Sequence, residues 1–578
     1  MNLTTLALIF AGAAAAAGHS TALDEVRGTT AAEEARTRAA QAEAPRKISE
    51  TTLDEVRGFG YTNPVIKGFH PDPSVCAVGE DYYLVNSSFQ YFPGVPIFHS
   101  RDLVNWTQIG NVLTRREQLE LDGALAWGGI YAPTIRHHDG VFYMITTNCS
   151  GRGNFIVHTQ DPALKWSDPV WIDQGGIDPS LFFHEGKCWY TGTCDNWIVL
   201  FELNPLTGEK LGEVRKIWRG TGGRYPEGPH LYFKDGWFYL LIAEGGTEYA
   251  HSITIARSRS IEGPYEADPA NPVLTHCNLQ SQSSIIQGLG HGDLVQAHDG
   301  SWWMCCLGFR TQGGNYHLLG RETFMTPVKW EEGSWPRVEG GAIHIEMNVP
   351  TLPQQEAEAS NPSLDFSSDT FGPEWVHIRN PFPGNYSFTG SALRLTAGKS
   401  LDERTVSPTF IGRRQEDISF EAVTSVEICE GTVAAVDVCG KAFTSAEVCR
   451  PMSTSVEICG EASAEAGLSV YMDADAHYDI FLKRDGLLAF RVRLGELSHT
   501  EEFKVDKGRL FLKVEGDENL YTFSWSSDGK VYHRIGRMNA KYISTEGSGG
   551  FTGIILGLFS AGVPGSAADF NSFSYRGL

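Results

Sequence analysis

Asp72-Pro-Ser-Val, followed by Gly79-Glu-Asp-Tyr-Tyr, is the first of five related stretches in this chain. The others are Ala132-Pro-Thr-Ile with Gly140-Val-Phe-Tyr, Asp178-Pro-Ser-Leu with Gly186-Lys-Cys-Trp-Tyr, Gly228-Pro-His-Leu with Gly236-Trp-Phe-Tyr, and His291-Gly-Asp-Leu with Gly300-Ser-Trp-Trp. Each has a short entry marked by Pro or Gly, an apolar residue, a Gly turn and an aromatic cluster. A strand, tight turn and aromatic strand recurring every ~40 to 60 residues predicts an all-β propeller, here with five blades over residues 61–345. Equivalent positions of such a ring converge on one axis. Asp72 and Asp178 hold the same repeat position and Glu227 stands one residue before it, so three carboxylates distant in sequence are expected at the mouth of one channel. Such a group points to general acid/base chemistry.

Prolines flank Asp72 on both sides, follow Asp178 and precede Glu227, which restricts the backbone and fixes the aim of each acid. A lone Asp-Pro is more often a turn cap; three at matching or adjacent repeat positions outweigh that reading. Beyond a Pro/Gln/Glu/Ala linker at 346–362, segments such as Leu468-Ser-Val-Tyr-Met, His477-Tyr-Asp-Ile-Phe-Leu and Tyr521-Thr-Phe-Ser-Trp alternate apolar with polar residues. That period of two predicts a second all-β domain, a concanavalin-like β-sandwich over 363–578.

The net charge of −23 and the lack of long basic runs argue against nucleic acid or an anionic membrane surface as partner. A neutral substrate fits better. Residues 1–18 read as an apolar leader with small residues for cleavage but no basic start, so secretion is expected, with a cytoplasmic chain as the alternative. Residues 19–60 form a low-complexity lead-in, in which Thr21-Ala-Leu-Asp-Glu-Val-Arg-Gly recurs as Thr51-Thr-Leu-Asp-Glu-Val-Arg-Gly. No later segment is apolar for long enough to span a membrane. Asn86, Asn105, Asn148 and Asn385 head glycosylation sequons, Asn86 within an expected strand. Cys76, Cys149, Cys188, Cys194, Cys277, Cys305 and Cys306 read as small core residues. Cys429, Cys439, Cys449 and Cys459 end four imperfect copies of one decapeptide, an insertion at about 430–459. That spacing does not suit a zinc site, and disulfides between the copies stay open.

Taken together, Asn63-Pro-Val-Ile-Lys-Gly-Phe-His-Pro-Asp-Pro-Ser, Phe92-Pro-Gly-Val-Pro-Ile, Ser100-Arg-Asp-Leu-Val-Asn-Trp, Gly129-Ile-Tyr-Ala-Pro, Glu227-Gly-Pro-His, Gly263-Pro-Tyr-Glu and Gly320-Arg-Glu-Thr resemble glycoside hydrolase family 43, of the β-xylosidase/α-L-arabinofuranosidase type. The resemblance implies an exo-acting, inverting hydrolase releasing xylose from non-reducing ends of xylo-oligosaccharides. Asp72 would be the general base, Glu227 the general acid and Asp178 the group that orients the acid and tunes its pKa. It further implies that Arg321 and His291 meet the substrate, that Phe89 and Tyr131 wall the pentose, and that Phe551, in Gly550-Phe551-Thr-Gly, closes the pocket. Core packing is the rival reading for Phe89, Tyr131, Phe551 and His291, and a surface ion pair for Arg321. An arabinofuranosidase acting on arabinoxylan side chains is the nearest alternative, and a non-catalytic carbohydrate-binding propeller the alternative of another class. A fructan-cleaving relative is disfavoured because its Asn-Asp-Pro-Asn-like and Arg-Asp-Pro segments are missing. No cofactor or metal is called for, although His291 and Asp293 leave a central cation conceivable. Homo-oligomerisation stays open.

Overall fold

The computed structural model describes residues 60–279, 284–313, 315–355, 363–364, 366, 370–429, 464–506 and 508–578. The expected leader, nearly all of the lead-in and the decapeptide copies after Cys429 lie outside these residues. The structure is nearly all-β, its described helices being single turns, and none is long and apolar enough to cross a membrane.

The front half builds five antiparallel sheets in chain order. The first runs Ser74–Val78, Asp81–Val85, Gly94–Ser100 and Thr107–Leu113; the second runs Thr134–His138, Val141–Asn148, Gly153–Thr159 and Val170–Trp171. The third comprises Ile177–His184, Lys187–Cys194, Trp197–Glu202 and Arg215–Trp218; the fourth starts with Glu227–Lys234 and the fifth with Ile286–Gln296. The first strands pack one against the next, and that of the fifth sheet against that of the first. The Gly turns between first and second strands, at Gly79, Gly140, Gly186, Gly236 and Gly300, all take positive φ, which only glycine adopts freely. Aromatic second strands then fill the spaces between sheets: Tyr82, Tyr190, Tyr239 and Trp303 are all but inaccessible.

Tyr61–Thr62 pairs with Glu346–Met347, and Asn63 exchanges hydrogen bonds with the backbone of Met325. Both ends of this half are therefore stitched to the fifth sheet. The stretch expected as a linker from 346 is packed at its start, with Met347 and Leu352 buried beside Tyr61 and Trp303.

The back half stacks two antiparallel sheets, one around Ala567–Gly577 and Phe420–Ile428, the other around Ile555–Ala561 and Glu465–Asp473. Leu512 and Val514 from one sheet meet Leu468 and Val470 from the other in a common core, as the period-two pattern requires. A separate apolar cluster joins the halves: Phe69, Phe89 and Tyr91 pack with Val376, Phe410, Tyr471 and Phe559.

Two sequence readings need correction. Cys149 and Cys277 are exposed and Cys194 is partly so; only Cys76, Cys188, Cys305 and Cys306 are core residues. These four lie within first, second or inner strands, whereas the others fall at strand ends and in loops, where neighbouring aromatic residues do not enclose them. Asn148 is buried and does not suit glycosylation of the folded chain, while Asn86 is buried as its expected inaccessible position implied, its amide donating to the His70 and Pro71 carbonyls.

A charge network with a buried centre, His477 and Asp479, and an exposed end at Asp402 braces the sandwich. His477 Nδ1 lies 2.9 Å from Asp479 and its Nε2 3.0 Å from Asp402, while Arg491 Nε donates to Asp479 at 2.7 Å. Burial alone would lower the imidazole pKa, but the two carboxylates outweigh it and lift it to about 9. A raised folded-state pKa stabilises fully below the unfolded value of about 6.5, and that stabilisation is lost as pH rises through about 9. Thermal melts between pH 6 and 10 should therefore show a decline in this window that His477→Asn abolishes, together with a lower melting temperature at pH 6.

Candidate active site

The ladder breaks where the chemistry sits. In the third, fourth and fifth sheets the register of the first strand slips between Ile177 and Ser180, Glu227 and His230, and Gly290 and Asp293. Asp178, Gly228 and His291 fall within these bulges, and Asp72 holds the matching place just before Ser74–Val78. All four adopt positive φ, at 53°, 59°, 47° and 53° respectively. A bulge in the left-handed region turns a side chain off the ladder, and each non-glycine residue held there costs on the order of 1–3 kcal/mol. Here it re-aims Asp72, Asp178 and His291. Gly228 explains why the acid of the fourth sheet is displaced by one: a Cβ at 228 would lie 2.9 Å from the His291 ring, so the carboxylate is carried by Glu227 instead.

Arg321 Nη1 donates to Asp72 Oδ1 at 2.8 Å and to Thr247 Oγ1 at 3.1 Å. Ser87 Oγ donates to the other Asp72 oxygen at 2.5 Å, and His291 Nδ1 lies 3.9 Å from Oδ1. Asp178 Oδ2 accepts from Gly228 N at 3.2 Å, gripping the peptide bond that follows Glu227. The Arg321 guanidinium stands 5.4 Å from the Phe89 ring centroid and 5.9 Å from that of Phe551, and its Nη2 donates to the Phe551 carbonyl at 3.4 Å. Phe89 packs at 5.4 Å on Tyr131, whose hydroxyl donates to the Trp127 carbonyl. Direct contacts thus link Asp72, Arg321, His291, Phe89, Tyr131 and Phe551, and another joins Asp178 to the Glu227–Gly228 segment. The Arg321 pair is buried, so the surface-bridge reading falls.

Electrostatics separates the acids. Burial pushes both Glu227 and Asp178 upward. Glu227 rises to about 7, with the Asp72 charge adding to burial and Arg321 opposing. Asp178 is held well above the usual range by burial and by Glu227. Asp72 moves the other way: burial opposes its charge, but Arg321, His291 and the Ser87 hydrogen bond outweigh burial and lower its pKa. One carboxylate is therefore ionised beside a pair that retains protons near neutrality.

Ser87, Thr247 and Glu244 were not singled out in sequence. Glu244 accepts from Thr221 N, Gly223 N and Thr254 Oγ1, pinning the loop that leads into Glu227. The Gly245-Gly246 pair beside Thr247 was the one available signal. The position near Asp293 considered for a cation is occupied by protein: Arg136 Nη1, Ser74 Oγ and Tyr232 Oη all donate to the Asp293 carboxylate. Among the described residues no cluster of three metal-binding side chains occurs.

Residues 61–336 match the family model for glycosyl hydrolases family 43, and residues 363–433 and 447–576 match that of the β-xylosidase C-terminal concanavalin A-like domain. A non-reducing end α-L-arabinofuranosidase of Bacteroides ovatus is 38% identical over 542 residues, spanning 90% of this chain and 95% of that protein. The chain belongs to glycosyl hydrolase family 43. A β-xylosidase of Bacillus subtilis is 31% identical over 89% of this chain and 99% of its own. Among solved structures, the family 43 enzyme of the B. ovatus xyloglucan PUL superposes with a TM-score of 0.80 at 37% identity, covering 90% of this chain and all of that one. A xylan β-1,4-xylosidase from Bacillus halodurans gives 0.79 at 31%, covering 89% and 100%. This family 43 chain is a glycosidase, and the binding-only alternative is set aside.

Proposed function

We propose that the enzyme removes single pentoses from non-reducing ends, acting as a β-xylosidase on xylo-oligosaccharides with accompanying α-L-arabinofuranosidase activity. The carrying observation is the convergence of Asp72, held by Arg321, with Asp178 and the Glu227–Gly228 segment around His291, and the opposite electrostatic displacement of Asp72 and Glu227 agrees with it. Asp72 takes a proton from water, whose oxygen attacks the anomeric carbon from the face opposite the leaving group; Glu227 gives its proton to the departing oxygen, and inversion results. Asp178 positions the acid through Gly228 N. The half-buried Phe551 and Tyr131 crowd Arg321 and Phe89 from the sandwich and the second sheet, which favours a closed pocket and terminal cleavage.

In this reading the five sheets of residues 61–345 form a closed five-bladed propeller. Two things support it, the succession of neighbouring first strands and the pairing of Tyr61–Thr62 with Glu346–Met347. On the acid's side, a groove of about 540 Å³ lined by Trp197, Arg219 and Tyr225 borders Pro226, and offers room for the leaving saccharide.

The deciding test is 4-nitrophenol release from the β-D-xylopyranoside and the α-L-arabinofuranoside, with the product anomer followed by NMR. Preference for xyloside with inversion supports the proposal; retention overturns it. An arabinofuranosidase proper is the second reading, favoured by the B. ovatus relative, and preference for the furanoside would establish it.

The pH profile of kcat/KM checks the role assignment. A general acid works only while protonated, so activity should fall as pH rises through about 7. A general base works only while ionised, and the lowered Asp72 pKa puts the acidic limb below the ordinary carboxylate range.

A further inference from the structure

Phe551 stands against Arg321 on a loop of the sandwich. Before it, the single helical turn Thr545–Ser548 runs into Gly549 and Gly550, at φ 81° and 91°, where an added Cβ would meet nothing within 4 Å. Two glycines in the left-handed region with open space around them give this stretch little stiffness of its own. The tip must therefore be placed from its two ends. At the far end Ile554 N donates to Leu318 O at 3.0 Å, and a Cβ on Gly553 would lie 2.4 Å from Leu319 O, so backbone presses on backbone. At the near end Thr545 N donates to His317 O at 3.2 Å, and Glu546 supplies a side-chain anchor.

Glu546 Oε2 accepts from His317 N at 2.9 Å, and Oε1 accepts from His317 Nδ1 at 2.8 Å. The Tyr249 hydroxyl, 3.0 Å from Asn315 O, also lies 3.1 Å from Oε1. A carboxylate only accepts, so His317 Nδ1 carries a proton. Burial opposes the Glu546 charge, but the His317 bonds outweigh burial and lower the carboxyl pKa. Phe309 seats the group, stacking on His317 at 4.0 Å and meeting the Tyr249 ring edge-on at 5.1 Å. Where these partners sit in the chain gives the cluster its meaning. Tyr249 follows Thr247 by two residues, His317 precedes Arg321 by four, and Glu546 precedes Phe551 by five. One carboxylate thus ties together the segments that bring Thr247, Arg321 and Phe551 to the pocket.

We propose that Glu546 is a positioning residue for substrate binding: from the sandwich it clips its own loop to the front half and so holds Phe551 over the sugar pocket. It touches no reacting atom, and its effect on the sugar passes through Phe551. Losing it removes binding common to the ground and transition states, which raises KM and spares kcat. A brace that served folding alone would lower the melting temperature and leave KM as it was. The proposal rests on the reading of Phe551 as a wall of the pocket.

The test is a double-mutant cycle in the intact enzyme, read on whichever of the two 4-nitrophenyl glycosides turns over faster. Glu546→Ala should raise KM about tenfold, as expected for a lost charged hydrogen-bonding group, with kcat changed by less than about twofold. Glu546→Gln, whose amide oxygen still accepts one bond, should recover part of that KM. In a Phe551→Ala background, where KM is already raised, adding Glu546→Ala should raise it by no more than about twofold. An unchanged KM in Glu546→Ala beside a raised one in Phe551→Ala overturns the proposal, as do fully additive effects of the two substitutions. An unchanged KM in Phe551→Ala itself overturns the wall reading and the proposal with it. Should Glu546→Ala fold poorly, Tyr249→Phe, which removes one hydroxyl from the carboxylate, takes its place. A KM rise of about two- to threefold is then expected, and no rise overturns the proposal.

Discussion

Glu227→Gln is expected to lower kcat on xylobiose by roughly 10²- to 10⁴-fold, yet to cost 4-nitrophenyl β-D-xylopyranoside roughly tenfold or less, because nitrophenolate leaves without needing the proton. That split between substrates distinguishes a lost acid from general damage to the site, which would slow both equally. The basic limb of the pH profile should disappear in the variant as well. A stability signature accompanies it. Burial and the Asp72 charge raise the Glu227 pKa to about 7, so ionisation of this group penalises the folded state as pH rises from the unfolded value of about 4.5 through 7. The amide carries no such charge, and Glu227→Gln should melt higher than wild type at pH 8.5 while matching it near pH 4. A variant that lost activity on both substrates alike would remove Glu227 from the role of acid.

The second large effect concerns Asp72. Asp72→Asn removes the ionised oxygen that accepts from Arg321 and Ser87, and activity on either substrate should fall by roughly 10²- to 10⁴-fold. It should also destabilise the protein, by about 3–5 kcal/mol, because Arg321 is left as a buried charge without its counterion. The lowered pKa of Asp72 gives the sign of the wild-type pH dependence. Its stabilisation is present above the unfolded value of about 3.8 and is lost as pH falls through the lower folded value. Adding Arg321→Met to Asp72→Asn should recover much of the stability and none of the activity. Recovery of neither would mean that Asp72 acts through contacts other than this pair. Urea denaturation and steady-state rates of the single and the double variant, beside wild type, measure both arms.

The all-β reading and the three acids were legible because the chain repeats itself: an entry of Asp-Pro, Ala-Pro, Gly-Pro or His-Gly recurs in each unit, and recurrence can be seen without coordinates. Glu227 stood out despite its offset because Pro226 and Gly228-Pro229 frame it. Ser87, Thr247 and Arg379 have no repeat counterpart. Their partners lie 15, 74 and 289 positions away, and ordinary serine, threonine and arginine carry no local signal for such contacts. The cysteines misled for a related reason, since Cys149, Cys194 and Cys277 lie at strand ends or in loops, where burial depends on contacts distant in sequence.

Arg379 shows what the shared apolar cluster between the halves is for. This sandwich residue, 1% exposed, donates to the Gln90 side chain and the Ala124 carbonyl of the front half, and to the Arg404 and Val406 carbonyls of its own. Next to it, Asn380 bonds to Leu119 O and Leu121 N. The chain they hold runs on to Trp127 and Tyr131, while Phe551 arrives from the same side. In the proposed function the wall that faces the saccharide is therefore built by both halves of the chain, and neither half would carry the specificity alone. Exchanging sandwiches between related enzymes would change which sugar is accepted as well as how tightly the front half is buttressed. For such a protein the smallest heritable unit of substrate choice is the whole seam.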